Sequence, residues 1–429
     1  MIVKLNDRVK ENLGVAIILL MLMMSLMIPV FVSDSFSMVV MAGTGLFCLF
    51  GLLFFELDRL NGKGFKRRYL IPLLLFGGSF LINGFYFGVI GYIAIGIVFC
   101  VILPIMQKIM SGSSHGDIAY SISKGITYGF VVFYVVSVLF GPPLGKDQYF
   151  SFLANPNITG ALASIAVASV LNVILHKKEE KNKSVWIHIF ILGLAIAMCF
   201  FTNSRTNMLA VMIQLAIICV IEGVKLIKTF NKQRVMTYVK IIVAIVLIIV
   251  LAFGFFFCSL TYFKKIISPF TLEIIDLSNI MDISGERFGK GLGEDAFAFS
   301  SGRTVIWADY IENITLLGHS SESRDIDTGT RVMENTNAHN VYIQTAYTAG
   351  LLAGIAVFIY VAIMGIELLI NGLAFIFKGK ELSLDKIYLI TAYFAFGIAS
   401  LTSAGYMMFT YLPATLFWIL TYVISFKKD

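Results

Sequence analysis

Charged residues are scarce in this chain: Asp, Glu, Lys and Arg together make up 14% of 429 residues, whereas apolar ones make up 58%. A soluble core of that length could not hide so much apolar surface, so an integral membrane protein is expected. The five cysteines, Cys48, Cys100, Cys199, Cys219 and Cys258, lie inside apolar runs with neither metal-ligand spacing nor an obvious disulfide partner. They read as small hydrophobes without chemistry. No heptad, solenoid period or low-complexity tract occurs, and no pair of carboxylates stands out as a glycoside hydrolase couple. The net charge of +7 is scattered among short loops instead of forming one stripe. That distribution fits the positive-inside bias and argues against nucleic acid as a partner.

Ionisable groups are rarest in the middles of the apolar runs. Glu222 and Glu367 fall near run ends, and only Lys124 enters one. Ion-coupled transporters usually carry buried acids, bases or paired charges along their pathway. A nonenzymatic polysaccharide flippase or small-solute transporter is therefore weakened but stays an alternative, which an internal repeat or a hydrated midspan charge path would favour.

What the chain does have is a series of runs long enough to cross a bilayer. A hydrocarbon core about 30 Å thick needs roughly 20 apolar residues in a helix. Runs of that kind fall near 14–32, 36–55, 119–141, 158–175, 186–203, 207–224, 239–260, 341–370, 387–404 and 406–425. The first follows Lys4, Arg8 and Lys10, lacks a small-residue cleavage site and is expected to remain as an anchor. Residues 70–106 are almost twice the required length, and the stretch LINGFYFG offers a turn at Asn83 and Gly84.

Reading that piece as two spans gives twelve. With twelve and a cytoplasmic N-terminus, the basic loops ELDRLNGKGFKRRY, HKKEEKNK, KLIKTFNKQR and FKGKELSLDK all face inward. The expected fold is an all-α polytopic membrane protein of about 12 transmembrane helices with one large extracytoplasmic loop element. Residues 1–260 hold helices 1 to 9, residues 261–340 the loop element, and residues 341–429 helices 10 to 12. Within the loop element, TVIWADYIENITLL has helical apolar spacing, whereas GHSSESRDIDTGTR is rich in turn formers and reads as loop.

This topology places three reactive side chains on the outer side: Arg205 in FTNSRTNMLA, Arg303 in SSGRTVIW and His339 in NTNAHNVYIQTAYTAG. A planar guanidinium gives forked, charge-assisted hydrogen bonds to phosphate oxygens, so two arginines at a membrane surface suit a phosphorylated lipid. Arg205 could equally be a snorkelling anchor, and Arg303 could pair with Asp309 or Glu312. If Asn337 caps the helix of span ten, His339 falls in its first turn, where the helix dipole keeps imidazole neutral and able to accept a proton. A structural role for His339 is the alternative. Asn340, Gln344 and Tyr347 then form a polar strip, with Tyr342 one turn on from His339. His319 is a weaker rival for the same chemistry.

The segments SRTNMLA, SGRTVIW with ITLLGHS, and AHNVYIQTAYTAGLLAG, in this order and on one side, resemble the O-antigen ligase and polysaccharide polymerase family. FLANPNITGALA resembles the asparagine-containing start of an earlier helix in that family. A proline that the family often carries before the Leu-Gly pair is absent from ITLLGHS, which leaves the turn at Gly318 open.

The resemblance implies a fold like the membrane-embedded glycosyltransferase C superfamily in the bacterial cytoplasmic membrane. It implies inverting glycosyl transfer on the outer side from an undecaprenyl-pyrophosphate-linked oligosaccharide, with neither metal nor other cofactor. Arg205 and Arg303 would hold the donor pyrophosphate and His339 would serve the acceptor hydroxyl, with Asn340 and Tyr342 lining the substrate site. Membrane lipid, a chain-length regulator and a flippase would be the partners. The preferred activity is polymerisation of lipid-linked repeats, with ligation to another acceptor as the nearest alternative.

Overall fold

A computed structural model describes residues 64–111, 115–140, 144, 148–149, 151, 156–180, 182–228, 232–263, 266, 303–327, 332–401 and 412–426. The expected spans at 14–32 and 36–55, and residues 267–302 of the outer segment, lie outside these. Helices dominate: α1 (Arg67–Phe87), α2 (Ile90–Ile97), which runs through a π-helical turn (Val98–Ile102) into α3 (Leu103–Ser111), α4 (His115–Phe140) and α5 (Pro156–Glu179). Then come α6 (Val185–Phe201), α7 (Arg205–Lys228), α8 (Lys232–Cys258), α9 (Arg303–Glu312), α10 (Val341–Ala349) and α11 (Leu351–Lys378). The last are α12 (Leu384–Ser400), α13 (Leu412–Leu420) and α14 (Tyr422–Ser425). Six of the described helices are long and apolar enough to cross a membrane, and three shorter apolar ones accompany them. The chain is a multi-pass membrane protein, with six full-length helices among the described residues.

Residue size decides which helix lies at the centre. α5 carries Gly160, Ala161, Ala163, Ser164, Ala166, Ala168 and Ser169, all buried. In lipid, where apolar area alone does not drive helices together, small side chains let backbones approach closely. α5 accordingly packs on α4, α6, α7 and α12. α8 is more apolar still, its span built largely from Ile, Val, Leu and Phe, and most of that span is exposed.

Long-range pairs sort the helix ends into two sets, as alternate crossing requires. At one end the Glu367 carboxylate accepts from Lys66 (2.8 Å), Tyr69 (2.7 Å) and Arg68, and Lys66 also donates to the Ile424 carbonyl. Lys178 pairs with Glu222 and Lys228 donates to the Phe375 carbonyl at the same end. At the other end Asn83 donates to the carbonyls of Leu317 (2.7 Å) and Thr348 (3.0 Å), and Ser204 to Asn157 (3.0 Å). The first end is the one the basic loops mark.

Three boundaries differ from expectation. The run 70–106 does break, but at Gly88, which caps α1 in the left-handed conformation (φ 70°). Asn83 and Gly84 stay inside α1 because the Asn83 amide finds its partners in the outer segment instead of its own turn. Span ten is also broken: Gly350 takes φ 95° and ψ 161°, ends α10 and starts α11. The two helices fold against each other there. A Cβ on Gly354 would lie 2.5 Å from that of Ala346, and the rings of Tyr342 and Phe358 are 5.8 Å apart. Sixteen residues of straight helix would separate the latter by roughly 24 Å.

The third difference is a small sheet among the described residues of the outer segment. β1 (Arg324–Asp327) pairs antiparallel with β2 (Val332–Thr336), Arg324 opposite Thr336 and Asp327 opposite Val332. RDID alternates, so that Ile326 turns inward at 1% exposure between Asp325 and Asp327. Ile326 joins Ile306, Tyr310, Ala338 and Tyr347 in a small core that seats α9 and the hairpin on α10. The turn at Gly318 is also defined: φ is 84°, its N–H bonds Thr315 Oγ1 at 2.9 Å, and an added Cβ would fall on the Thr348 carbonyl.

Candidate active site

Arg205 is the first residue of α7, and the turn that presents it is tightly tied. Asn203, two residues earlier, is left-handed (φ 52°). Ser204 donates to Asn157 Oδ1 at 3.0 Å, and Asn207 Nδ2 reaches Ser204 Oγ at 2.9 Å and the Asn157 carbonyl at 3.0 Å. Ser204 and Asn207 are buried. The N-terminus of α5 is thereby bolted to that of α7, which is how FLANPNITGALA enters the site.

Arg303 is likewise the first residue of its helix. It is half-buried, and burial followed by the nearby Arg205 charge lowers its proton affinity. The alternative pairing with Asp309 does not occur: Asp309 Oδ2 lies 2.9 Å from Arg324 Nε, an ion pair off the angle of a good hydrogen bond. Two arginines thus stand at two helix starts, near enough for the charge of one to act on the other.

His339 sits just ahead of α10, not in its first turn. The cap is Asn340, whose Oδ1 accepts from Tyr342 N (3.0 Å) and Ile343 N (3.2 Å), while Asn337 Oδ1 accepts from His339 N (3.1 Å). Two asparagines three apart can each start a helix, and here the first closes a turn and the second caps. His339 between them is forced left-handed, φ 47°. Its imidazole is half-buried, and burial, followed by the charge of Arg303, holds it below the ordinary histidine range. The ring is therefore neutral near pH 7 and able to take a proton. The mechanism assumed from sequence, the dipole of its own helix, gives way to burial and a neighbouring cation.

Together these residues make an electropositive corner. The helices α5, α7, α9 and α10 begin there, and none has an acid in its first turn. Helix starts carry partial positive charge and unpaired N–H groups, and two of these begin with arginine. Stability alone would place acids at such positions. The left-handed non-glycine residues among those described are Ser151, Asn203 and His339. Ser151 bonds Thr159 of α5 at 2.8 Å, so all three border this corner, as backbone strain at a functional site does.

The Asn340 side-chain oxygen caps α10, and the Tyr342 ring packs on Phe358. Both follow His339 at the start of α10. His319 is also structural: its ring stacks on Tyr347 at 4.1 Å and Nε2 meets the Asn313 carbonyl at 2.8 Å. The residues that sequence reading overlooked are those that bind these pieces together, Trp307 and the Asn157–Ser204–Asn207 set. Trp307 offered one signal, its i+4 spacing from Arg303, which puts both on one face of α9.

Residues 189–358 match the family model described as O-antigen ligase, and that range contains Arg205, Arg303, His339, Asn340 and Tyr342. No curated protein and no solved structure matches the chain.

Proposed function

From a chain carrying the O-antigen ligase domain over residues 189–358, we propose a membrane glycosyltransferase that joins undecaprenyl-pyrophosphate-linked oligosaccharide repeats into a surface polysaccharide. The observation that carries this reading is the meeting of Arg205, Arg303 and a neutral His339 at helix starts without acids. A glycosyl pyrophosphate already holds a good leaving group. The protein must therefore stabilise departing negative charge and aim an acceptor oxygen at the anomeric carbon.

The two arginines and the helix N-termini supply the first requirement, as fixed charges directed at the leaving group. His339 supplies the second. Its imidazole takes the proton of the acceptor hydroxyl as the oxygen bonds to the anomeric carbon and the bond to the pyrophosphate oxygen breaks, the electron pair leaving with the pyrophosphate. Direct displacement inverts the anomeric carbon. The site faces outward across the cytoplasmic membrane in this reading, since the basic loops occupy the opposite end. A flippase delivering the repeats and a chain-length regulator are the partners it calls for.

The match to the O-antigen ligase family favours one other reading, transfer of a finished glycan to a different acceptor. It uses the same donor site. Purified protein supplied with lipid-linked repeats distinguishes them: polymerisation yields a ladder of products. A single shifted band, formed only when a foreign acceptor is added, replaces the polymerase with the ligase.

A further inference from the structure

Residue 338 is a buried alanine with no side chain to anchor it, yet both of its backbone polar groups are held by side chains from elsewhere. The Ala338 carbonyl accepts from Trp307 Nε1 at 2.8 Å, and its N–H donates to Gln344 Oε1 at 2.8 Å. Gln344 is fixed in turn, its Nε2 donating to the Glu322 carbonyl (2.5 Å) and Thr348 Oγ1 (3.0 Å). The next residue is His339, in a left-handed conformation that an isolated histidine seldom adopts. Trp307 lies one helical turn after Arg303 on α9.

We propose that Trp307 is a positioning residue whose indole N–H registers the histidine-bearing turn against the arginine-bearing helix, so that acceptor activation is aligned with the donor pyrophosphate. The inference rests on the function proposed above for Arg303 and His339. Its physical content is geometric. The peptide bond between Ala338 and His339 is planar, so a bond to the Ala338 carbonyl fixes the plane from which the His339 Cα projects. Gln344 holds the turn to its own helix α10, whereas Trp307 ties it to α9 at the residue beside His339. Tyr310 adds a bond from α9 to Thr336 (2.6 Å), three residues before His339, which retains the overall docking when the indole bond is lost.

Two substitutions isolate the N–H. Trp307→Phe removes it with some loss of bulk, and 3-benzothienylalanine at position 307 removes it while keeping the ring shape. Each is compared with the unmodified chain and with His339→Ala for turnover on lipid-linked repeats and for affinity toward a non-transferable lipid pyrophosphate. Both substitutions are expected to reduce kcat by about 10-fold to 100-fold, the scale of a displaced reacting group, with donor affinity within about twofold. In the His339→Ala background the same substitutions are expected to cost nothing further, because a residue that acts through another has no effect once that other is gone. A merely structural role would lower donor affinity as well and would multiply the His339→Ala defect. Either result overturns the proposal, as does full turnover of the benzothienyl protein. If His339→Ala itself turns over normally, the underlying catalytic reading fails and this inference with it, an outcome distinct from the others.

Discussion

Arg303 lies close enough to Arg205 for the second guanidinium to lower the proton affinity of the first. Like charges at two helix starts repel in the empty site, and an anion with two phosphate groups relieves that repulsion. Lipid pyrophosphate or inorganic pyrophosphate is expected to raise the Tm of the detergent-solubilised protein, more so at low salt. Arg205→Lys and Arg303→Lys keep the charge and lose the fork, so turnover should fall about 10-fold or more while membrane insertion survives. Full turnover by both lysine variants refutes forked binding.

His339 is held neutral by burial and by Arg303, and this sets the direction of its pH dependence. A base with a lowered pKa stays unprotonated as pH falls through the ordinary 6.5, so the acid limb of kcat/KM should lie below that value. Arg303→Gln removes a cation and should move the limb upward in whatever activity remains. A limb that stays in place would show that another group titrates.

Asparagine tolerates the left-handed backbone that His339 adopts, and glycine adopts it without cost. Both variants should fold, with His339→Gly gaining up to about 1 kcal/mol from relieved strain. Turnover should fall about 100-fold to 10,000-fold in each, since neither replaces a base. Near-normal polymer from a folded His339→Asn protein would return this residue to a purely structural role.

Asn340 caps α10 with both of its first-turn bonds. Asn340→Ala should cost about 1 kcal/mol in thermal unfolding. Asn340→Asp retains the cap and places a negative charge beside His339, so stability should hold while the acid limb of the pH profile rises. The pair of variants separates capping from electrostatics.

A side chain at Gly350 would run into the Leu316 carbonyl, and its φ of 95° excludes ordinary residues. Gly350→Ala should destabilise by more than about 1 kcal/mol, read as a lower Tm with faster proteolysis of residues 313–350.

Sidedness has a direct check, because Ser321 is exposed at the end opposite the basic loops. A single cysteine at position 321, in a background free of the native thiols, should react with an impermeant reagent in intact spheroplasts. Labelling only after lysis would reverse the orientation.

The apolar runs were legible because a membrane span leaves a strong, local signal, and Arg205, Arg303 and His339 stood out as candidates because each lies in a polar segment between such runs. The break at Gly350 was not legible. TAYTAGLLAG reads as continuous helix, and the Leu316 carbonyl that crowds Gly350 is distant in sequence, so no local pattern marks the positive-φ glycine. The cap of α10 was misjudged because Asn337 and Asn340 carry equal propensity, and the choice depends on Ala338 being held from both sides. The bond from Trp307 spans 31 residues, beyond any local pattern. The hairpin at 324–336 was read as loop because its strands are short and its apolar signal rests on Ile326.

The bend at Gly350 also fixes a depth. A helix running straight on from α11 would carry His339, eleven residues before Gly350, roughly 16 Å further from the bilayer. Folded back, with Ala346 against Gly354 and Tyr342 against Phe358, the same eleven residues return toward the headgroup layer. A diphosphate tethered to a polyprenyl chain cannot rise far above that layer without drawing its hydrocarbon into water. In the proposed reaction His339 is thereby brought down to a lipid-linked donor, whose tail need not leave the membrane for the sugar to be reached.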